Sequence, residues 1–259
     1  MRNVWQELSG LLLPVACAGC GRPRTELCAA CGSALFGGPA RRVRPSPGPP
    51  GLPAVYAAAP YENAVRAVLL AHKERGALGL AGALGRALAG CVRAGTGQLG
   101  GAATPGGAGL PRAAAPLFLV PVPSARSATA ARGHDPVRRI AVTAARELRS
   151  GGLPAQVLPL LRQRRAVADQ SGLDARQRRA NLAGALELTA AGVRLLRRGL
   201  LRHDRVILID DLLTTGSTLA EAARAVGEGC RTDRESAVHG GCRAAVVAAS
   251  PSAFEINRN

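Results

Sequence analysis

The chain has 259 residues, a net charge of +17 and 47% hydrophobic residues. That suffices for one sizeable domain and a small addition, and no run reaches the roughly 18 apolar residues of a membrane span. Aromatic residues make up only 2%, so the core has to be built from Ala, Val and Leu, and rings for stacking single-stranded nucleic acid are scarce.

The charge is almost all arginine, with Lys73 the one lysine. Such an excess favours polyanions: nucleic acid, phosphorylated metabolites or a membrane face. Heavy use of Arg, Ala, Gly and Pro also follows from a GC-rich genome, and the two explanations stand side by side. The opening stretch, MRNVWQELSGLLLPVAC, has an apolar run only at residues 11–16, behind Glu7, Ser9 and Gly10. That makes a poor signal peptide. An amphipathic first helix stopped near Pro14 is expected instead. The chain reads as cytoplasmic, with reduced cysteines.

Residues 1–36 form a cysteine-bearing unit, with Cys17-x2-Cys20 and Cys28-x2-Cys31 seven residues apart. A CxxC turn lets two thiolates reach one ion, and two such turns complete a closed tetrahedral site. Gly19, Gly21 and Gly32 fit the tight turns this requires. The gap between the pairs is shorter than the common range of roughly 15–20. A redox CxxC is the rival, but it needs a βαβ context that this stretch lacks. Structural zinc on Cys17, Cys20, Cys28 and Cys31 is therefore expected, with no open coordination position.

Residues 37–54, rich in Pro, Gly and Arg, read as a linker unable to pack as a regular element. Residues 55–59 follow as a strand. In residues 61–72, Val65, Val68, Leu69 and His72 share one side of a helix. Residues 78–92 form an alanine-rich helix, and 95–115 a flexible low-complexity insertion. Then come a buried strand at 117–122, a helix at 135–149 and a strand at 155–160. The arginine-rich stretch 162–184 is either a mobile loop that closes over a ligand or a plain basic face. A strand at 206–209, a helix at 219–226 and a strand at 244–248 complete the pattern, with 251–259 a loose tail. Residues 227–241 are too long and polar for a simple turn. Apolar runs alternating with helices argue for an α/β domain over residues 55–250, its parallel sheet covered on both faces. Cys91, Cys230 and Cys242 are isolated and read as core or surface thiols.

Residues 206–218, VILIDDLLTTGST, carry the chemistry. Four apolar residues mark a strand buried on both faces. Asp210 and Asp211 follow at its carboxyl end, where open α/β sheets bind ligands. Thr214, Thr215, Gly216, Ser217 and Thr218 then open a helix, whose free N–H groups and positive dipole end suit a phosphate. Gly216 lets the backbone approach, and the hydroxyls donate without charge. The neighbouring carboxylates can accept from a ribose 2′,3′-diol and steady a hydrated magnesium ion. The plain alternative is a strand–turn–helix whose acids merely cap the helix.

This segment resembles the phosphoribosyl-pyrophosphate motif of type I phosphoribosyltransferases. The resemblance implies that fold, with Asp210 and Asp211 contacting the ribose, residues 214–218 wrapping the 5-phosphate, and magnesium as helper ion. Val120-Pro121-Val122-Pro123-Ser124, followed by Arg126, Arg132 and Gly133, resembles the VPVP…RG stretch of the ComF/GntX family. Members of that family join an N-terminal cysteine cluster to a phosphoribosyltransferase domain, which implies zinc at the four cysteines. Gln170-Ser171-Gly172-Leu173, with Arg178 and Asn181, looks like the family's Q..L….R..N loop, and Tyr61 and Lys73 fall at its tyrosine and LKxxG-like helix end. The chain departs from the family at Arg132-Gly133-His134-Asp135-Pro136, where RGFNQ is usual. His134 there reads as a packing or loop residue rather than a base.

In a transferase, pyrophosphate leaves C1 of the ribose through a positive, oxocarbenium-like state. Candidates to neutralise it are the backbone at Ser124, Arg126, Arg132, Lys73 and magnesium. Each single arginine also reads as a solvated surface charge in so basic a chain. No base-recognition residue is legible. Two functions therefore stay open: a transferase of unknown acceptor, and a module whose pocket senses or anchors while the basic surface holds single-stranded DNA. The ComF resemblance implies DNA uptake alongside competence-machinery proteins. A relative outside competence would serve nucleotide salvage or repair.

Overall fold

The computed structural model describes residues 15–97, 116–165, 175–198, 205–230 and 242–257. In chain order, the first elements are α1 (Ala29–Phe36), β1 (Arg41–Val43), β2 (Ala54–Pro60), α2 (Asn63–Glu74), a 3-10 turn at Leu78–Leu80 and α3 (Ala81–Gly97). The middle holds β3 (Leu117–Pro121), α4 (Arg126–Arg132), α5 (Pro136–Ser150), β4 (Ala155–Val157), β5 (Leu161–Gln163) and α6 (Ala175–Leu182). Last come β6 (Leu186–Leu188), α7 (Ala190–Arg197), β7 (Val206–Leu213), α8 (Ser217–Cys230), β8 (Arg243–Ala249) and a 3-10 helix at Pro251–Asn257.

Six strands form one sheet in the order β1-β2-β8-β7-β3-β4, parallel throughout except for β1 at the edge. The centre belongs to the least polar strands: residues 206–209 of β7 and 244–249 of β8 are at most 1% exposed. One layer holds α2, α3 and α5, with Val68, Leu84, Leu88, Ile140 and Leu148 against Ile207 and Ile209. The other holds α8 and the antiparallel β5–β6 pair, with Leu161, Leu186, Leu219, Ala222 and Val226 against Val206 and Leu208. This alternation along β7 is the period of a strand buried on both faces. Each fully buried Leu, Ile or Val contributes about 1.5–3 kcal/mol, which is how a core so poor in rings holds together.

The structure is thus α/β, with a mostly parallel sheet flanked by helices and a four-cysteine cluster at the N-terminal side. Several expectations need adjusting. Residues 37–54 contain a strand: Arg41–Val43 pairs antiparallel with β2, and the Arg44 N–H continues to the Ala253 carbonyl at 3.0 Å. The stretch 251–257 is a 3-10 helix with Ala253 and Phe254 buried, where a loose tail was expected. The strand expected at 155–160 covers only Ala155–Val157, paired with Leu117–Leu119, and the Leu158 N–H makes a last bond to the Leu119 carbonyl at 2.9 Å. β7 runs on through both acids to Leu213. The expected first helix near Pro14, residues 98–115 of the insertion, the Gln170–Leu173 segment and residues 231–241 lie outside the described residues.

No single helix among the described residues is long and apolar enough to cross a membrane. α2 and the Leu78–Gly97 stretch pass such a test only together, bent by 120°, and their apolar faces are already spent on the core.

Candidate functional site

The chain leaves β3 towards β4 on one side and leaves β7 towards β8 on the other. The carboxyl ends of β3 and β7 therefore flank the point where the connections diverge, the position at which open α/β sheets bind ligands. The two ends are tied by the Val122 N–H donating to the Ile209 carbonyl at 2.8 Å. Ser124 follows on the β3 side, half-buried. Asp210 to Thr218 follow on the β7 side.

Asp211 is buried at 5% exposure and accepts from Lys73 Nζ at 2.7 Å. Burial alone would lower the Lys73 pKa, yet the Asp211 carboxylate outweighs it and raises it. Asp210 is half-buried, and its Oδ1 accepts the Asp211 N–H at 2.9 Å. Burial, and then the Asp211 carboxylate, push the Asp210 carboxyl up to about 8, against the pull of Lys73. The two neighbouring acids are thus unequal: one has a cation, and the other is held towards its protonated form.

Beyond them, Thr214 is exposed, Thr215 and Thr218 are half-buried and Ser217 is buried. Thr215 Oγ1 and Ser217 Oγ lie 3.1 Å apart. Gly216 has φ +78, a left-handed turn that favours glycine. A Cβ there would also stand 3.0 Å from Leu52 Cδ1 and 3.4 Å from Pro45 Cγ, so the proline-rich segment lies over that side of the loop. A cavity of about 650 Å³ runs along the flank of α8 between Leu52, Arg179 and Glu221. It meets the loop at Ser217, and its lining includes neither acid.

Lys73, a candidate for the pyrophosphate in the sequence, is paired in the structure with Asp211. Arg132 is held instead by Glu74, which accepts from Nε and Nη2 at 2.9 Å each. The side chain of Arg126 lies outside the described residues. Arg178 and Asn181 sit on α6, which packs on α8. Asp135 does not replace an amide at the site: it caps α5, accepting the Arg138 N–H at 3.0 Å ahead of Pro136. His134 is a packing residue, edge-on to His72 with ring centroids 6.1 Å apart.

His72 and Glu74 flank Lys73; the sequence placed His72 only on the apolar side of the helix and gave Glu74 no role. Their adjacency to the one lysine was the available signal. His72 is 1% exposed and its Nε2 has no hydrogen-bond partner. Burial, then the charges of His134 and Arg139, bring its pKa down to about 4.

The sulfurs of Cys17, Cys20, Cys28 and Cys31 all lie within 4.8 Å of one another. A tetrahedral zinc with bonds of about 2.3 Å sets its sulfurs about 3.8 Å apart; Cys20 Sγ and Cys28 Sγ are 3.7 Å apart. The Cys28 N–H donates to Cys17 Sγ at 3.3 Å. Burial disfavours the Cys17 thiolate, but the N–H groups of Cys28, Cys20 and Gly19 outweigh it and bring the pKa down to about 6. Donors that stabilise thiolate suit a metal ligand, and the group could hold an ion such as zinc. Gly19 is required here because a Cβ would stand 2.7 Å from Cys31 Sγ and 3.2 Å from Ala64 Cβ on α2. Cys91, in contrast, is a core thiol donating to the Val246 carbonyl at 3.3 Å.

The sequence matches no protein-family model and no curated protein.

Proposed function

We propose that the chain is a phosphoribosyltransferase-like protein of the ComF/GntX kind that binds phosphoribosyl pyrophosphate with magnesium at the carboxyl end of β7. One observation carries the reading. At the divergence point of the sheet, two adjacent acids, one ion-paired to the chain's one lysine, run directly into a hydroxyl-lined turn that opens α8.

Asp210 and Asp211 accept the ribose 2′- and 3′-hydroxyls. The 5-phosphate takes the Thr215 and Ser217 hydroxyls, the backbone at Gly216 and the free N–H groups of the first turn of α8. Thr214 and Thr218 flank that loop. Lys73 exchanges Asp211 for the pyrophosphate, and Arg132, with Ser124 and Arg126 on the β3 side, completes that half. Magnesium fits the donor set, since paired carboxylates are hard oxygen ligands; when bound it offsets charge on the leaving pyrophosphate. Zinc on Cys17, Cys20, Cys28 and Cys31 is structural.

Binding decides the reading. Calorimetric titration with phosphoribosyl pyrophosphate and magnesium is expected to show saturable binding, weakened at least about a hundredfold in Asp210→Asn/Asp211→Asn by loss of both carboxyl contacts, the one at Asp211 charge-assisted. Equal affinity in that variant would remove the site. Pyrophosphate release in an acceptor screen then separates an enzyme from a sensing module.

The alternative, a competence-related single-stranded DNA factor, draws on the +17 charge. It finds no platform among the described residues: Phe36, Tyr56, Tyr61, Phe118 and Phe254 are all buried or half-buried, and strand binding leans on free rings. Retardation of single strands with a steep salt dependence is the result that would favour it.

A further inference from the structure

Three consecutive residues end α2, and each meets a different partner. His72 packs on His134. Lys73 pairs with Asp211. Glu74 takes the Arg132 guanidinium with both carboxylate oxygens, 2.9 Å from Nε and 2.9 Å from Nη2. That fork-to-fork geometry is the one in which arginine holds two oxygens of a phosphate. The Glu74 carboxylate stands where two oxygens of such an anion would stand. The Arg132 side chain is 20% exposed and that of Glu74 is 46% exposed, so the guanidinium is the fixed partner and the carboxylate the one able to leave.

We infer that Glu74 is a built-in competitor for the pyrophosphate contact at Arg132, setting how strong an anion must be to enter. The inference rests on the proposed function, which assigns Arg132 to the pyrophosphate. A half-exposed ion pair is weak. A ligand with several charges that reaches both Lys73 and Arg132 displaces Glu74, whereas a monoanion gains too little to do so. Glu74 therefore selects for pyrophosphate-class ligands over chloride, acetate and similar ions.

The test is a double-mutant cycle on the full chain, titrated with inorganic pyrophosphate. Glu74→Gln is expected to bind about three- to fivefold tighter than wild type, the gain from removing a weak internal competitor. In an Arg132→Ala background the same change is expected to do nothing, because its effect passes through the guanidinium. No gain in Glu74→Gln overturns the inference. So does an equal gain with and without Arg132, which would make Glu74 one charge in the general field. Ribose 5-phosphate as a second probe separates the two readings. If it binds and the pyrophosphate cycle is flat, the role of Glu74 alone falls. If it does not bind, the proposed function falls, and the role of Glu74 falls with it.

Discussion

The cysteine cluster and the end of β7 are both small polar sites, but they are assembled in opposite ways. The four sulfurs come from residues 17–31 and need only two turns and the start of α1 to meet. Lys73 and Asp211 are 138 residues apart and meet only when α2 and the centre of the sheet are in place. The cluster gathers soft donors that a metal ion satisfies together. The strand end sets one carboxyl group beside another, with a cation paired to Asp211 alone. The first arrangement can be completed by a metal ion, whereas the second buries two acids side by side at a cost to the fold.

The largest expected effect breaks the comparison if the two regions are not independent. Cys28→Ser removes one of four ligands, and a zinc-finger-type site without its metal loses on the order of 10 kcal/mol of folding free energy. Wild type is expected to carry about one zinc per chain by elemental analysis, and the variant almost none. Hydrogen exchange in residues 15–36 should become fast while the β7 and β8 amides stay protected. Equal loss of protection in β7 would mean that the cluster supports the whole sheet, and the contrast drawn above would fail.

That contrast also explains what the sequence disclosed. The cluster was legible because its ligands are adjacent in the chain, and the central strands were legible because VILI and AAVVAA can only be buried. The acids and the hydroxyl loop were legible because they are contiguous with β7. The partners of Lys73 and Arg132 were not, since nothing near either residue names Asp211 or Glu74. β1 was hidden for another reason: Arg41–Val43 has no strand pattern of its own and is ordered by pairing with β2. The burial of Phe254 likewise depends on that edge, where Arg41 lies over its ring at 5.5 Å.

The next effect sharpens the comparison by asking what burial costs around Lys73. His72 is folded in as a neutral ring with a pKa near 4, against 6.5 for an ordinary histidine. The unfolded chain therefore binds the proton first. The contribution is complete above pH 6.5 and is lost as the pH falls towards 4, amounting to about 3 kcal/mol at most. His72→Leu is expected to flatten that part of the acid limb in urea unfolding followed between pH 7 and 4. An unchanged slope would show that His72 is not a buried neutral ring.

The smallest effect separates the two adjacent acids. Asp210, with a pKa near 8 in the fold against 3.8 in a free chain, holds its proton more tightly when folded. Its contribution to stability therefore falls as the pH rises from about 4 to 8. Asp210→Asn keeps an oxygen for the Asp211 N–H and removes the charge, so it should stabilise the protein by about 1–2 kcal/mol at pH 8 and by little at pH 4. Asp211→Asn should do the reverse, because it leaves Lys73 partly buried without its partner, at a cost of about 1 kcal/mol. Thermal unfolding of both single variants at the two pH values measures the signs directly. Opposite signs at neighbouring positions would fit the proposed site, with one acid held at a cost to the fold and the other anchored by Lys73. The same sign for both would mean that the pair shares one environment, and the division of roles between Asp210 and Asp211 would have to be abandoned.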